Sequence, residues 1–365
     1  MSGSRRLADL LRTRRGRLTD ELRRERGDVV LGQVPSRLLP DGVTSLICGY
    51  CSTGCSLDVH VQGGVPVNLT PTRGYPVNGG SACPKGWEAL TPLGASDRGT
   101  TPLVRDGSGH LRAASWDTAI GELTTRAKAI VAEHGPESMA YLSTGQIPTE
   151  EMALLGTVAK FGMGLVHGDS NTRQCMATSA VAYKQSLGFD APPYTYDDLE
   201  QSDVILLIGS NLCIAHPILW ERVLRNRHDP ATVVVDPRAT ETAMAASHHY
   251  AIQPKSDLTF LYGLAHLLIE RGAVDRAFVD ASTTGFDAFA DFVRTFRPDV
   301  VSAATGIPEV RLHELADLIA TGERVSFWWT MGVNQSHEST RTAQAIINLA
   351  LLTGNIGRPG TGANS

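Results

Sequence analysis

Hydrophobic positions follow two rhythms along this chain, and beyond residue 200 they alternate regularly. Val204-Ile205-Leu206-Leu207-Ile208 is an unbroken apolar run closed by Gly209, and 232–235 is a second, closed by Asp236-Pro237. Short continuous runs of this kind read as strands covered on both faces, the habit of parallel sheets. A helical pattern from about 217 to 227 lies between them, which makes a βαβ unit. A third short strand is expected at 250–252, then a helix with Ser256 as candidate cap, Leu258, Leu261, Leu264, Leu267 and Leu268 on its apolar face, and Gly272 at its end. A late strand, Val325–Trp329, leads through Gly332 into a helix carrying Ala343, Ile346, Ile347, Leu349 and Leu352. Earlier, Ser115 is placed to cap a helix whose stripe is Ile120, Leu123, Ala127, Ile130 and Val131, closed by Gly135-Pro136. The alternation predicts an α/β protein with largely parallel sheets, whose ligands sit beyond the carboxyl ends of the strands.

The first hundred residues read differently. Residues 1–27 hold nine arginines against four acidic residues, with leucines at 7, 10, 11 and 18 on one narrow helical stripe. That is the pattern of a solvated basic arm, with the docking of an acidic redox partner as its functional alternative. From 41 to 95 the chain is rich in Cys, Gly, Pro and Thr, with short β-type runs at 57–61 and 65–69. Such a loop-rich segment needs a staple in place of a large core. The 365 residues, 42% hydrophobic and 19% charged, suffice for two or three globular domains. A net charge of −5 gives no reason to expect nucleic acid or an anionic membrane as partner. No apolar stretch approaches the roughly eighteen residues of a membrane span, and no apolar region follows Arg5-Arg6 as an export signal requires, so a cytoplasmic protein is expected.

Six cysteines in such a protein point to metal binding or catalysis before disulfides. Cys48-x2-Cys51-x3-Cys55 with Cys83-Pro84 far downstream offers four thiolates to one site. Structural zinc sites pair two close knuckles, whereas three close cysteines and one distant Cys-Pro favour an iron–sulfur cluster. Cys175 and Cys213 stand apart, and either alone reads first as a small buried side chain. The histidines show no paired spacing that would hold a metal.

Gly209-Ser210-Asn211 closes the first strand of the βαβ unit and enters the next helix near His216-Pro217. Small residues there let backbone N–H groups approach a diphosphate, although Gly-Ser-Asn is also ordinary turn chemistry. Asp236-Pro237-Arg238 ends the neighbouring strand, where an acid in dinucleotide folds takes the ribose hydroxyls. No G-x-G-x-x-G follows a strand, so a nicotinamide or flavin site is not favoured.

Cys48-Gly-Tyr-Cys51-Ser-Thr-Gly-Cys55 with Cys83-Pro84-Lys85-Gly86 resembles the N-terminal cluster signature of the molybdopterin oxidoreductases related to dimethyl sulfoxide reductase. Asn171-Thr-Arg-Gln-Cys175-Met-Ala-Thr-Ser and the stretch from Ala191-Pro-Pro-Tyr are similar to the nitrate-reductase branch. The resemblance implies a [4Fe-4S] cluster on Cys48, Cys51, Cys55 and Cys83, and Lys85 as a cation between cluster and pterin. It implies Cys175 as the molybdenum ligand of a molybdenum-bis(molybdopterin guanine dinucleotide). Gly209, Ser210, Asn211, His216, Asp236 and Arg238 would then serve one guanosine diphosphate arm and Lys255-Ser256-Asp257 its guanine end. Gln146, Asn171, Met331, Gly332 and Gln335 correspond to pterin contacts.

The organisation implied is a basic arm at 1–40, a [4Fe-4S] domain at 41–95, an α/β domain at 96–200 completed by 326–365, and a dinucleotide-binding α/β domain at 201–325. The match runs from about 44 to 361 and resembles the N-terminal half of an assimilatory-type nitrate reductase, after which a C-terminal β-barrel domain would normally follow. The implied activity is reduction of nitrate to nitrite with electrons from a redox donor protein or domain. Formate dehydrogenase of the same family, and a non-catalytic electron-transfer or assembly protein, are the alternatives.

Overall fold

The computed structural model describes residues 39–365 and, before them, only a backbone pairing of Leu22–Arg23 with Val34–Pro35. The leucine stripe of the basic arm lies outside the described residues. The chain divides into two compact units at Thr100 and Thr101.

In the first unit, β1 (Gly42–Ile47), β2 (Ser56–Gln62) and β3 (Val65–Pro71) form an antiparallel sheet, followed by the short helix α1 (Pro84–Trp87). Its buried core is small: Leu57, Val59 and Leu69, with Leu46, Ala82 and Leu90 packed against them. So few buried side chains leave the fold dependent on another constraint.

The second unit opens with a hairpin, β4 (Leu103–Arg105) and β5 (Leu111–Ala113), and the helix α2 (Trp116–His134). Ser115 caps α2 as expected, its hydroxyl accepting the Thr118 N–H. Of the predicted stripe only Ala127 is buried, and Ile120, Leu123 and Ile130 are exposed among the described residues. β6 (Ala140–Ser143) and β7 (His167–Ser170) pair in parallel, and α3 (Ala177–Leu187) follows.

The larger sheet is built from β8 (Val204–Ile208), β9 (Ala231–Val235), β10 (His248–Tyr250), β11 (Val325–Trp329) and β12 (Gly362–Asn364). Its order is β10-β9-β8-β11-β12, every pairing parallel. The short helix α4 (Leu212–Ala215) and α5 (Pro217–Arg225) connect β8 to β9, and α6 (Asp257–Glu270) follows β10. β11 runs into the turn α7 (Met331–Asn334) and the helix α8 (Ser339–Leu352). All of β8 and β11 is buried. Leu206, Ile208, Phe327 and Trp329 face one core with α6 and α8, while Ile205, Leu207 and Trp328 face another with Leu219 and Val223 of α5. Both faces are covered, which is why these strands read as unbroken apolar runs.

The third strand begins two residues before its predicted start, because the half-buried His248 and His249 pair with β9 while the apolar Ile252 packs beyond the strand. Ser256 precedes α6 but does not cap it with its side chain, since its hydroxyl donates to the Gln253 carbonyl instead (2.6 Å). Residues 326–365 share this sheet with 201–325, and α8 also packs against α3.

The central pair β8 and β11 is tied at both ends. At the amino ends, the Arg324 guanidinium donates to both Asp203 carboxylate oxygens (2.6 and 3.1 Å), and its charge holds the Asp203 carboxyl below the usual range. At the carboxyl ends, the Gly332 N–H donates to the Gly209 carbonyl (3.0 Å) and the two backbones touch. A Cβ on Gly332 would lie 2.6 Å from the Gly209 Cα, and one on Gly209, whose φ is +56°, would lie 2.8 Å from the Gly332 Cα. Gly332→Ala is therefore expected to force the strand ends apart and to cost about 1–3 kcal/mol. Gly121→Ala, mid-helix with open space around it, is expected to stabilise by up to about 1 kcal/mol. Urea unfolding of the two variants checks this, and equal midpoints would refute the close approach.

Candidate functional site

Cys48 follows β1 directly, and its N–H donates to the Cys55 carbonyl (2.9 Å), closing the loop at its base. Inside the loop, Ser52 and Gly54 adopt φ of 55° and 86°, left-handed values that fold it back on itself. Cys83 arrives from the far side of the sheet as the residue before α1, with Pro84 at the first helical position. Asn78, fully buried, brings it there. Its side-chain N–H groups donate to the carbonyls of Ser56 (3.1 Å) and Ser81 (2.7 Å), and its carbonyl accepts the Ser56 N–H (3.1 Å). One amide thus ties the segment before Cys83 to the residue after Cys55.

Burial pushes the Cys55 thiol up to about 12, reinforced by the neighbouring charges of Cys51, Cys48 and Cys83. Burial also raises Cys48, which a backbone hydrogen bond at Tyr50 and the Lys85 ammonium pull back down. Four thiols and one lysine therefore act on each other at one place. As thiolates they repel, and only positive charge among them would hold them together. Among the described residues no three His, Cys, Asp or Glu side chains converge on a single ion. A cubane takes one thiolate on each iron, so its ligands surround it instead of meeting at a point.

In the second unit the strand order reverses between β8 and β11, the kind of crevice where open α/β sheets bind ligands. Gly209, Ser210 and Asn211 leave β8 there. The Ser210 hydroxyl is fully buried and has no hydrogen-bond partner among the described residues, an orphan that a ligand oxygen would satisfy. Asn211 is fixed by Glu241 and Thr242, its N–H donating to one (2.9 Å) and its carbonyl accepting from the other (2.7 Å). His216 ends this passage, just before Pro217 opens α5. Beyond β9, the Asp236 carboxylate accepts the Arg238 N–H (2.8 Å). Burial raises the Asp257 carboxyl at the start of α6, and the charge of Asp236 raises it further, so the two carboxylates share one neighbourhood. Lys255, two residues before Asp257, is in a left-handed conformation (φ 71°).

Gln146 and Asn171 lie at the carboxyl ends of β6 and β7. The Asn171 side-chain N–H donates to Gln146 Oε1 (2.8 Å), and its carbonyl accepts the Gly145 N–H (2.9 Å). One short turn later comes Cys175, whose Sγ donates to Met331 Sδ at 3.1 Å, while Gln335 Nε2 donates to the Gln174 carbonyl (3.3 Å). The structure therefore brings Cys175, Met331, Gly332, Gln335 and Gly209 to one sheet end. Lys85 and the four early cysteines belong to the first unit. Arg173 pairs with Asp169 at the surface (2.8 Å). A cavity of about 410 Å³ beside this segment is lined by Arg173 and Lys184 but also by Asp169 and Asp190, so its charge is balanced.

Residues 98–365 match the molybdopterin oxidoreductase family, and residues 43–91 match the molybdopterin oxidoreductase Fe4S4 domain. The chain belongs to the molybdopterin oxidoreductases. It is 37% identical to the assimilatory nitrate reductase of Haloferax mediterranei over 86% of its own length and 44% of that protein's. To the nitrate reductase of Synechocystis sp. it is 33% identical, over 87% and 46%. A putative formate dehydrogenase of Staphylococcus aureus is 31% identical, over 88% and 33%. The chain thus spans less than half the length of these relatives. The acetylene hydratase of Pelobacter acetylenicus shares its fold, with a TM-score of 0.71 at 24% identity over 85% of this chain and 43% of the other. Among the described residues no helix is long and apolar enough to cross a membrane.

For a molybdopterin oxidoreductase the cofactors are a molybdopterin and an iron–sulfur cluster, and both donor sets are present: four mutually interacting thiols, and a glycine joint beside an orphaned hydroxyl. Cys213, expected to be buried, is half-buried, its N–H donating to the Thr242 hydroxyl (3.0 Å). Asn78, Glu241, Thr242 and Asn334 went unnoticed in the sequence, where nothing local sets them apart from other polar residues. Asn78→Ala takes the side-chain acceptor from the Ser56 N–H and one of two donors from the Ser56 carbonyl, which keeps the Thr72 N–H, and is expected to lower the iron content of anaerobically purified protein severalfold, a buried group left unpaired costing about 1–3 kcal/mol. Asn68→Ala on the exposed face of β3 is the control. Equal iron in the two variants would contradict this role.

Proposed function

We propose that this chain carries the cluster and molybdenum-ligand portion of a nitrate reductase, using a bis(molybdopterin guanine dinucleotide) cofactor. When bound, that group supplies a two-electron reduction in which nitrate, two electrons and two protons become nitrite and water, with electrons arriving through the [4Fe-4S] cluster. The observation carrying this reading is the residue after the proposed ligand. Met176 follows Cys175, and its Sδ accepts a hydrogen bond from Asn334 Nδ2 (3.2 Å). A thioether cannot take up a proton, so no general base for formate stands next to the ligand position. The nitrate reductases among the relatives support the same choice, while the Staphylococcus relative supports formate as the second reading.

In this reading Cys48, Cys51, Cys55 and Cys83 hold the cluster, and Lys85 offsets its negative charge. Gly209, Ser210, Asn211 and His216 receive the diphosphate, small residues allowing the close approach. Asp236 accepts from ribose hydroxyls, with Arg238 beside it. Asp257, with Lys255 before it, accepts from guanine N–H groups, since a carboxylate matches adjacent donors. Gln146, Asn171, Met331, Gly332 and Gln335 line the pterin.

On molybdenum-loaded protein purified from its natural source, nitrite should form from nitrate with a reduced dye as donor. Cys175→Ala should abolish turnover while leaving the cluster's spectroscopic signal in place. Formate-dependent dye reduction without nitrite would overturn the nitrate reading and leave the family assignment standing.

A further inference from the structure

Cys175 lies on a short irregular turn between β7 and α3, and its own backbone gives it little support: its N–H donates only to the Thr172 carbonyl (3.1 Å). The support comes from the turn that follows β11. Asn334 there is 5% exposed, and every hydrogen-bonding position of its amide is used. Its Oδ1 accepts from Ser179 Oγ (2.7 Å) and from Trp329 Nε1 (2.9 Å). Its Nδ2 donates to Met176 Sδ (3.2 Å) and Ser365 Oγ (3.2 Å). Its backbone carbonyl accepts from Thr178 Oγ1 (2.8 Å). With Met331 on Cys175 and Gln335 on Gln174, the turn grips the chain on both sides of the cysteine.

We propose that Asn334 is a positioning residue that holds Cys175 in the attitude required at the cofactor site. The proposal rests on the reading of Cys175 as the metal ligand. The grip is firm because the turn is fastened to the sheet's centre. Trp329 is buried on β11, Thr330 Oγ1 donates to the Gly209 carbonyl (3.0 Å), and the Gly332 N–H donates to the same carbonyl (3.0 Å). Asn334 therefore references the cysteine to the strand ends that form the dinucleotide cradle. A fully satisfied buried amide specifies one arrangement of its neighbours, since any other leaves polar groups unpaired.

The test uses the full chain made in a host unable to synthesise the pterin, so Cys175 remains a free thiol. Alkylation by iodoacetamide is followed separately at Cys175 and Cys213 by peptide mass spectrometry. Asn334→Leu should raise the Cys175 rate at least roughly tenfold, the population change that losing even one of its four side-chain hydrogen bonds produces. Cys213, held by Thr242, should react as before. Thr178→Val, which removes the hydrogen bonds to the Asn334 carbonyl and the Ser339 hydroxyl and leaves the amide in place, should raise the Cys175 rate by a smaller factor and serves if the first variant does not fold. An unchanged Cys175 rate in the folded variants, or a parallel rise at Cys213, would overturn the proposal, because general loosening moves both thiols. The ligand reading is tested apart: ready alkylation of Cys175 in cofactor-loaded wild type would refute it and leave the positioning result intact.

Discussion

Gly209 and Gly332 touch backbone to backbone at the carboxyl ends of two central parallel strands, and the second unit is arranged around that contact. A side chain on either glycine would part the strands where the order of the sheet reverses. The contact does two things at once. It brings the loop after β8, with its orphaned Ser210 hydroxyl, beside the turn after β11. It also fixes the turn after β11, which reaches across to the segment bearing Cys175. The Asp203–Arg324 pair joins the other end of the same strands, so the segments after β8 and β11 proposed to bind the cofactor extend from one pair tied at both ends.

The first unit solves a different problem. Its apolar core is small, Cys55 and Cys83 are buried and Cys48 and Cys51 half-buried, and burial pushes the Cys55 thiol up to about 12. In the proposed reading cluster and fold are interdependent: the sheet and Asn78 bring together the segments that carry the cysteines, and iron would supply the positive charge that keeps them there.

Much of this was legible from pattern. The run at 204–208 read as a strand buried on both faces because parallel interiors favour unbroken apolar residues, and 325–329, interrupted by Ser326, read as a late strand. The cysteine motif pointed to the Fe4S4 domain that residues 43–91 match. What stayed hidden depends on partners remote in sequence. Asn78 acquires its role from Ser56, and Asn334 from Ser179 and Trp329; no local periodicity marks either. The strand at His248 was misplaced because its side chains are polar, and the cap expected at Ser256 failed because the hydroxyl turned back to Gln253. The stripe on α2 predicted a buried face that the described residues leave exposed.

The central claim is that the reversal point of the larger sheet, with the turn at 330–335, receives the dinucleotide pterin. Hydrogen–deuterium exchange, comparing cofactor-loaded with cofactor-free chain, tests it most directly. Slowed exchange should concentrate at 209–211, 236–238, 255–257 and 330–335. Unchanged exchange in those four segments, with protection elsewhere in the second unit such as the 103–113 hairpin, would contradict it.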